Sequence, residues 1–274
     1  MNMQSIIFIL FISIGIFAFT PDFTAEQKDK DLTTLRSVDY ISFKKGEFLE
    51  YNASYGYLNA AKATIEILPE SKIINSRPTM HVVGKAKSLG TFNWFFKVED
   101  RYETYIDEEA ILPWKFIRHV REGNYKLDRS ITFDHFNNKA TVVQKETETY
   151  NISANTQDML SAFYYIRTLD LEKAEIGKSF TINTFFDKEM YPMKIKYLGK
   201  EKIETDLGEF KCLKFRPIVE EGRVFKEEED MTIWISDDAN KVPIRLETDL
   251  VIGSIKLDLV DYKNLSVPLN IVKD

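Results

Sequence analysis

The sequence has one cysteine, Cys212, in 274 residues. No intramolecular disulfide can form, so an exported fold built from this chain must rest on its core alone. A chain of this length can bury such a core as one domain. Cys212 stands in "FKCLKF" with no histidine near it, which reads as a structural thiol in a strand rather than a nucleophile. Histidine is almost as scarce. His81, His119 and His135 are far apart and show no metal-ligand spacing, and His81 and His119 fall on expected wet faces. There is no Gly-x-Ser-x-Gly elbow and no glycine-rich phosphate loop, so no catalytic residue, metal or cofactor is implied. Blocks of Lys or Arg are missing too. With 37 basic and 43 acidic residues interspersed, for a net charge of −6, nucleic acid is not an expected partner. The clearest charge run, "KEEED" at 226–230, has adjacent carboxylates and reads as a solvated hairpin edge, not a calcium loop. Asp237 and Asp238, in "SDDANK" between strands, read as turn residues and not as a glycosidase pair, which would have to stand across a cleft.

Long apolar runs are absent but for one. Ile6 to Phe19 holds fourteen uncharged residues, enough for a signal-peptide core and short of the roughly 20 that span a membrane. Met1 to Ser5 carries no Lys or Arg, which is atypical for such a leader. Cleavage after Ala25 would start the mature chain at Glu26, and no cysteine follows the apolar core to take a lipid. The expectation is a signal peptide at 1–25 and a soluble periplasmic protein with no transmembrane segment after cleavage. An uncleaved anchor is the alternative.

What is present in abundance is period-two alternation. Residues 26–42 are polar and aperiodic and read as a flexible leader, 43–265 as a single β-barrel-like domain, and 266–274 as a C-terminal tail. In "LEYNASYGY" Leu49, Tyr51, Ala53, Tyr55 and Tyr57 share one face; in the next run Ala61, Ala63, Ile65 and Ile67 do. Such alternation marks antiparallel strands with one dry face. Similar runs at 79–87, 98–106, 112–121, 125–136, 139–147, 178–187, 190–199, 209–219, 230–236, 242–250 and 253–262 bring the total to about thirteen, divided by turns such as "EGNY" and "FNNK". The fold class is therefore all-β and mainly antiparallel. A flat sheet of that size would leave long edges, so it should curl into a barrel or half-barrel.

One segment breaks the pattern. "DMLSAFYYIRTL" has helical spacing, with Met159, Phe163, Ile166 and Leu169 on one stripe and Thr156 or Asn155 as the cap. This inserted apolar helix, near 157–169, is expected to plug or cap the curled sheet. A second short helix is expected at "GTFNWFFK", 90–97.

The runs "FKKGEFLEYNASYGYLNAAKATIEI", "FFKVEDRYETYID", "LPWKFIRHVREGNY", "DMLSAFYYIRTLDL" and "WISDDANKVPIRLE" together resemble bacterial exported proteins of domain-of-unknown-function family 3108, from about Phe43 to Tyr262. Where that family carries Gly after the "YG" turn, this chain has "NAAKA". The resemblance implies an envelope β-protein and brings no catalytic residues with it.

Three consecutive strands place charge on the dry face. Asp100 alternates with Val98, Tyr102 and Thr104; Arg118 with Trp114 and Phe116; Arg129 with Leu127 and Ile131. A buried charge is costly unless paired, so these groups should meet one another or a ligand, and Arg167 on the helix could join them. One reading is an internal Asp–Arg network that fixes register. The other is a polar floor, formed by Asp100, Arg118, Arg129, Tyr102, Trp114 and Arg167, that orients a glycan or lipid head group; Trp94 could also stack on sugar. Two function classes follow: a periplasmic non-catalytic binding or carrier protein for a glycan or lipid, and an envelope structural or assembly protein that binds a protein partner through its sheet edges.

Overall fold

The computed structural model describes residues 34–218, 231–249 and 254–272. The expected signal peptide and the "KEEED" run lie outside them. Fifteen strands form one sheet. They are β1 (Phe48–Tyr55), β2 (Leu58–Ile74), β3 (Arg77–Ser88), β4 (Glu99–Asp107), β5 (Pro113–Glu122), β6 (Tyr125–Asp134), β7 (Lys139–Val143) and β8 (Thr147–Asn151). After the helical insert come β9 (Ser179–Phe186), β10 (Glu189–Thr205), β11 (Gly208–Ile218), β12 (Met231–Ser236), β13 (Pro243–Asp249), β14 (Ser254–Lys263) and β15 (Ile271–Val272). The expected strands are all there. The run at 139–147 is shorter than expected, because the turn at 144–146 breaks it and starts β8.

Pairing runs antiparallel from β8 through β7, β6, β5, β4, β3, β2 and β1, then across β14, β13, β12, β11 and β10 to β9. The path does not close on itself, so the body is a curled, open half-barrel. The dry face is the inside of the curl: Leu49, Tyr51 and Ala53 of β1 and Ala61, Ala63, Ile65 and Ile67 of β2 are all buried. Tyr57, expected to continue that face, lies past the strand end in the turn and is fully exposed.

Side chains, not a ladder, draw the two ends of the sheet together. Phe185 of β9 packs edge-on to Phe133 and lies 5.6 Å from Tyr150 between ring centroids. Lys188, in the β9–β10 turn, pairs with Glu148 of β8. Residue Gln157 adds a single parallel bridge to Thr184 of β9, and its side-chain amide donates to the Ile111 carbonyl at 2.8 Å. The chain itself therefore fills part of the seam.

Helix α1 (Gly90–Phe95) joins β3 to β4, as expected. Helix α2 (Met159–Ile166) is the inserted helix, shorter than its expected bounds. Its cap is Asp158, not Thr156 or Asn155. The Asp158 carboxylate accepts from the backbone N–H groups of Leu160 and Ser161, and the Ser161 hydroxyl accepts from the Asp158 backbone N–H. This reciprocal capping satisfies donors the first turn leaves open. Thr104 of β4 donates to the same carboxylate at 2.5 Å, tying the helix to the sheet. The buried face also differs from the expected stripe. Leu160, Ser161, Ala162 and Tyr164 are buried, whereas Met159, Phe163 and Ile166 are half-buried. The reason is that α2 is enclosed on more than one side. Leu160 and Tyr164 belong to the core under β2–β6, Phe163 touches that core and the one under β1 and β10–β14, and Ile166 touches a third around Leu171. The helix is the plug that joins the cores.

Two segments expected to lie outside the domain are packed on it. Val38 donates its N–H to the Glu109 carbonyl, Arg36 binds the carbonyls of Ala110 and Ile111, and Tyr40 stacks on Phe43. At the other end Leu269 is buried and β15 pairs with β11.

Candidate functional site

Antiparallel order puts the turns at 56–57, 89–98, 123–124, 144–146 and 187–188 at one end of the half-barrel, here called the upper rim. Asp100, Tyr102, Arg118 and Arg129 lie inside the curl below that rim, on adjacent strands. Tyr102 is the cross-strand partner of Arg118, and Arg118 of Arg129. The expected shared face of β4, β5 and β6 is therefore real. The expected pairing is not. No Asp100–arginine salt bridge forms; instead a carboxylate from the far end of the sheet binds both cations. Asp187 Oδ1 accepts from Arg118 at 2.6 Å and from Arg129 at 2.5 Å. Asp187 and Lys188 both take left-handed backbone angles in the two-residue turn that presents this carboxylate.

Arg118 has a side chain only 3% exposed. Its guanidinium lies over the Phe186 ring, 4.5 Å from the centroid, and over the Tyr102 ring at 5.9 Å. Its Nε has no acceptor among the described residues. Arg129 also donates Nε and Nη2 to Gln144.

Asp100 turns to Glu122, the last residue of β5, which follows Val120 on the inward face. Asp100 accepts from the Arg121 backbone N–H at 2.8 Å and from the Tyr102 hydroxyl at 3.4 Å. Burial raises the pKa of both carboxyls; for Glu122 the neighbouring Asp100 charge adds to it and carries the value to about 7. Two carboxyls in contact and out of water hold one proton between them. They touch one another and do not face across a cleft, so they lack the spacing of a glycosidase pair.

The other two expected site residues lie at the opposite, lower end. Trp114 is buried and donates Nε1 to Asp107 at 3.0 Å, beside Arg77, which also binds that carboxylate. Arg167 does not join the upper cluster. It is completely buried and donates to both oxygens of Glu47, at 2.6 and 2.8 Å, and to the carbonyls of Ser42 and Asn240. Both are structural anchors by geometry. Glu47 could have been found, since it extends the alternation Leu49, Tyr51, Ala53 by one step toward the N-terminus and is buried with them. Near them a shallow cleft of about 450 Å³ is lined by Val38, Tyr40, Arg77 and Glu108, among others, and its arginine is already paired with Asp107 and Glu109.

The remaining chemical candidates have structural surroundings. Cys212 is fully buried, and burial pushes its thiol up to about 12. Asp238 binds Ser236 and the N–H groups of Asn240 and Asn270. His81 is on the outward face as expected but is not solvated: it is buried there, stacked on Tyr105 and 2.7 Å from Glu103. His119 is solvated, beside Asp128. Among the described residues no three His, Cys, Asp or Glu groups converge to hold a metal, and no helix is long and apolar enough to cross a membrane.

The family DUF3108, a protein of unknown function, matches residues 50–260. No curated protein matches the chain. Among solved structures, a β-barrel-like protein of the DUF1849 family from Brucella abortus aligns over 84% of this chain and 99% of its own, at 10% identity and a TM-score of 0.50. A putative exported protein with a YmcC-like fold from Bacteroides fragilis aligns over 83% and 100%, at 10% identity and a TM-score of 0.31. A putative lipoprotein from Parabacteroides distasonis aligns over 84% and 100%, at 11% identity and a TM-score of 0.31. The likeness to the Brucella protein is one of fold, the barrel-like curl; the other two are too distant to add to it.

Proposed function

We propose that this chain, which belongs to the DUF3108 family, is a non-catalytic binding or carrier protein of the periplasm that holds a glycan or lipid under the upper rim of its curled sheet. The observation that carries this reading is the arginine pair. Arg118 and Arg129 are sunk in an aromatic interior and are held by Asp187, one carboxylate on a hairpin tip from the unclosed end of the sheet. A register lock would be served by partners on neighbouring strands. Here the partner sits on a two-residue turn, and the buried Arg118 Nε still lacks an acceptor. That donor can take a hydroxyl, carboxylate or phosphate oxygen of a ligand, while Tyr102, Phe116 and Phe186 offer rings to a sugar face or an acyl chain. Beside Asp187 no backbone ladder joins β8 to β9, so a ligand would enter there by parting side chains alone.

A thermal-shift screen of glycans and lipids tests this, since binding to the folded state alone raises stability, by about 2.7 kcal/mol at a hundredfold excess over Kd. A ligand that stabilises the wild type and not Arg118→Leu is expected. A flat screen across both classes would overturn the assignment.

A further inference from the structure

The upper rim carries side chains that the proposed ligand site does not use. Tyr57 stands in the β1–β2 turn, Leu58 at the start of β2, Trp94 and Phe95 on α1, and Tyr125 at the start of β6; Trp94 is 83% exposed and Phe95 68%. These turns are neighbours. The Leu89 N–H just before α1 bonds to the Ala60 carbonyl of β2, and Phe96 after α1 lies against Gly123 in the β5–β6 turn, where a Cβ would stand 3.1 Å from the ring. The Trp94 and Phe95 rings are 4.9 Å apart. Five large apolar side chains thus project from adjoining tips at one end, where a soluble surface normally scatters them singly.

The charge around them is one-sided. Residues 55–60, 89–98 and 123–126 contain no Asp or Glu, in a chain that has 43. Glu122 is turned inside with Asp100, and Glu99 is tied to Lys97 at 2.8 Å. Exposed Lys87 and Lys126 flank the tips. The chain is acidic overall, yet among the described residues these three tips carry rings and ammonium groups, and the acids Glu146 and Asp187 stand on the other turns of the rim.

We propose that the upper rim docks on an anionic bilayer surface, with Trp94, Phe95, Tyr57 and Leu58 entering the interfacial region and Lys87, Lys97 and Lys126 against the head groups. Trp and Tyr suit that depth, since one end of each ring system is apolar and the other can stay wet. The rings come as separate knobs on three adjoining turns. That shape suits a fluid surface, which closes around knobs, better than a protein, which must supply a matching hollow. Docking by this end would face the open end of the curl toward the membrane, and it holds whether the cargo is a glycan, a lipid or neither.

Trp94 provides its own readout, because the other two tryptophans, Trp114 and Trp234, are buried. The full chain is mixed with vesicles of phosphatidylcholine alone or with an equal part of phosphatidylglycerol, some carrying brominated acyl chains. The expected result with phosphatidylglycerol is a blue shift and bromine quenching that vanish in Trp94→Phe. In Phe95→Asp/Tyr57→Asp, with Trp94 kept, the apparent vesicle affinity should fall about tenfold or more, since one well-buried aromatic contributes at least that much. An apolar N-terminal run that held the chain on vesicles would leave Trp94 in water, so attachment by that run is distinguished from docking. The proposal is overturned if Trp94 stays open to acrylamide with vesicles present, or if the double variant responds like wild type. It is equally overturned if Trp94 becomes protected with rising protein concentration and no lipid, which would make the rim a contact between copies.

Discussion

Removing the carboxylate of Glu47 should test how the lower end of the half-barrel is held. Arg167 and Glu47 side chains are both 0% exposed, so neither charge has water to turn to. The Arg167 guanidinium donates four hydrogen bonds, two to Glu47 and one each to the carbonyls of Ser42 and Asn240, while the Ser42 hydroxyl donates to the Arg167 carbonyl. Glu47→Ala therefore leaves two of the four, both to neutral carbonyls, around a full positive charge. Breaking a buried pair from one side costs about 3–5 kcal/mol. With a urea slope of about 2–3 kcal/mol/M for a chain of this size, the unfolding midpoint should fall by about 1–2 M. Replacing both partners, Glu47→Leu with Arg167→Met, should recover much of the loss, because the cost lies in the stranded charge. An unchanged midpoint in Glu47→Ala would refute the reasoning, and a double variant worse than the single would show that packing, not charge, is what Arg167 contributes.

Leu160→Ala should cost about 2–5 kcal/mol in chemical denaturation, because Leu160 is 2% exposed and a Cβ at Gly84 would already lie 3.3 Å from it; a loss under about 1 kcal/mol would mean that α2 does not plug the sheet. Glu122 should make stability fall as pH rises. Its folded pKa is raised to about 7 from an ordinary 4.5, so the folded state holds the extra proton between those values and its advantage disappears as pH climbs through the window. Glu122→Gln should therefore gain about 1–3 kcal/mol relative to wild type between pH 5 and pH 8, read from denaturation midpoints, and parallel pH profiles would contradict this.

Much of the fold was legible because period-two alternation is a local signal: burial on one face of β1, β2, β4, β5 and β6 follows residue by residue from it. Asp100, Arg118 and Arg129 were placed on one inner face in the same way. Glu122 could have been found too, since it continues the alternation Phe116, Arg118, Val120 by one more step. Asp187 could not. It lies 69 residues from Arg118 and 58 from Arg129, in a turn that carries no period, and only the curl of the sheet brings it there. Arg167 went astray for the related reason that its partner, Glu47, is 120 residues away, and the alternation that buries Glu47 with Leu49 and Tyr51 does not say which cation it meets. The helix stripe misled because an amphipathic pattern assumes one covered side, and α2 is covered on several.

The measurement that bears most directly on the binding role is native mass spectrometry of the protein after incubation with a total extract of envelope lipids and glycans. A bound small molecule of defined mass is predicted on the wild type and not on Arg118→Leu/Arg129→Leu, with both proteins folded by circular dichroism. Bare polypeptide in every case, or an adduct that the double variant retains, would contradict a ligand site at the arginine pair.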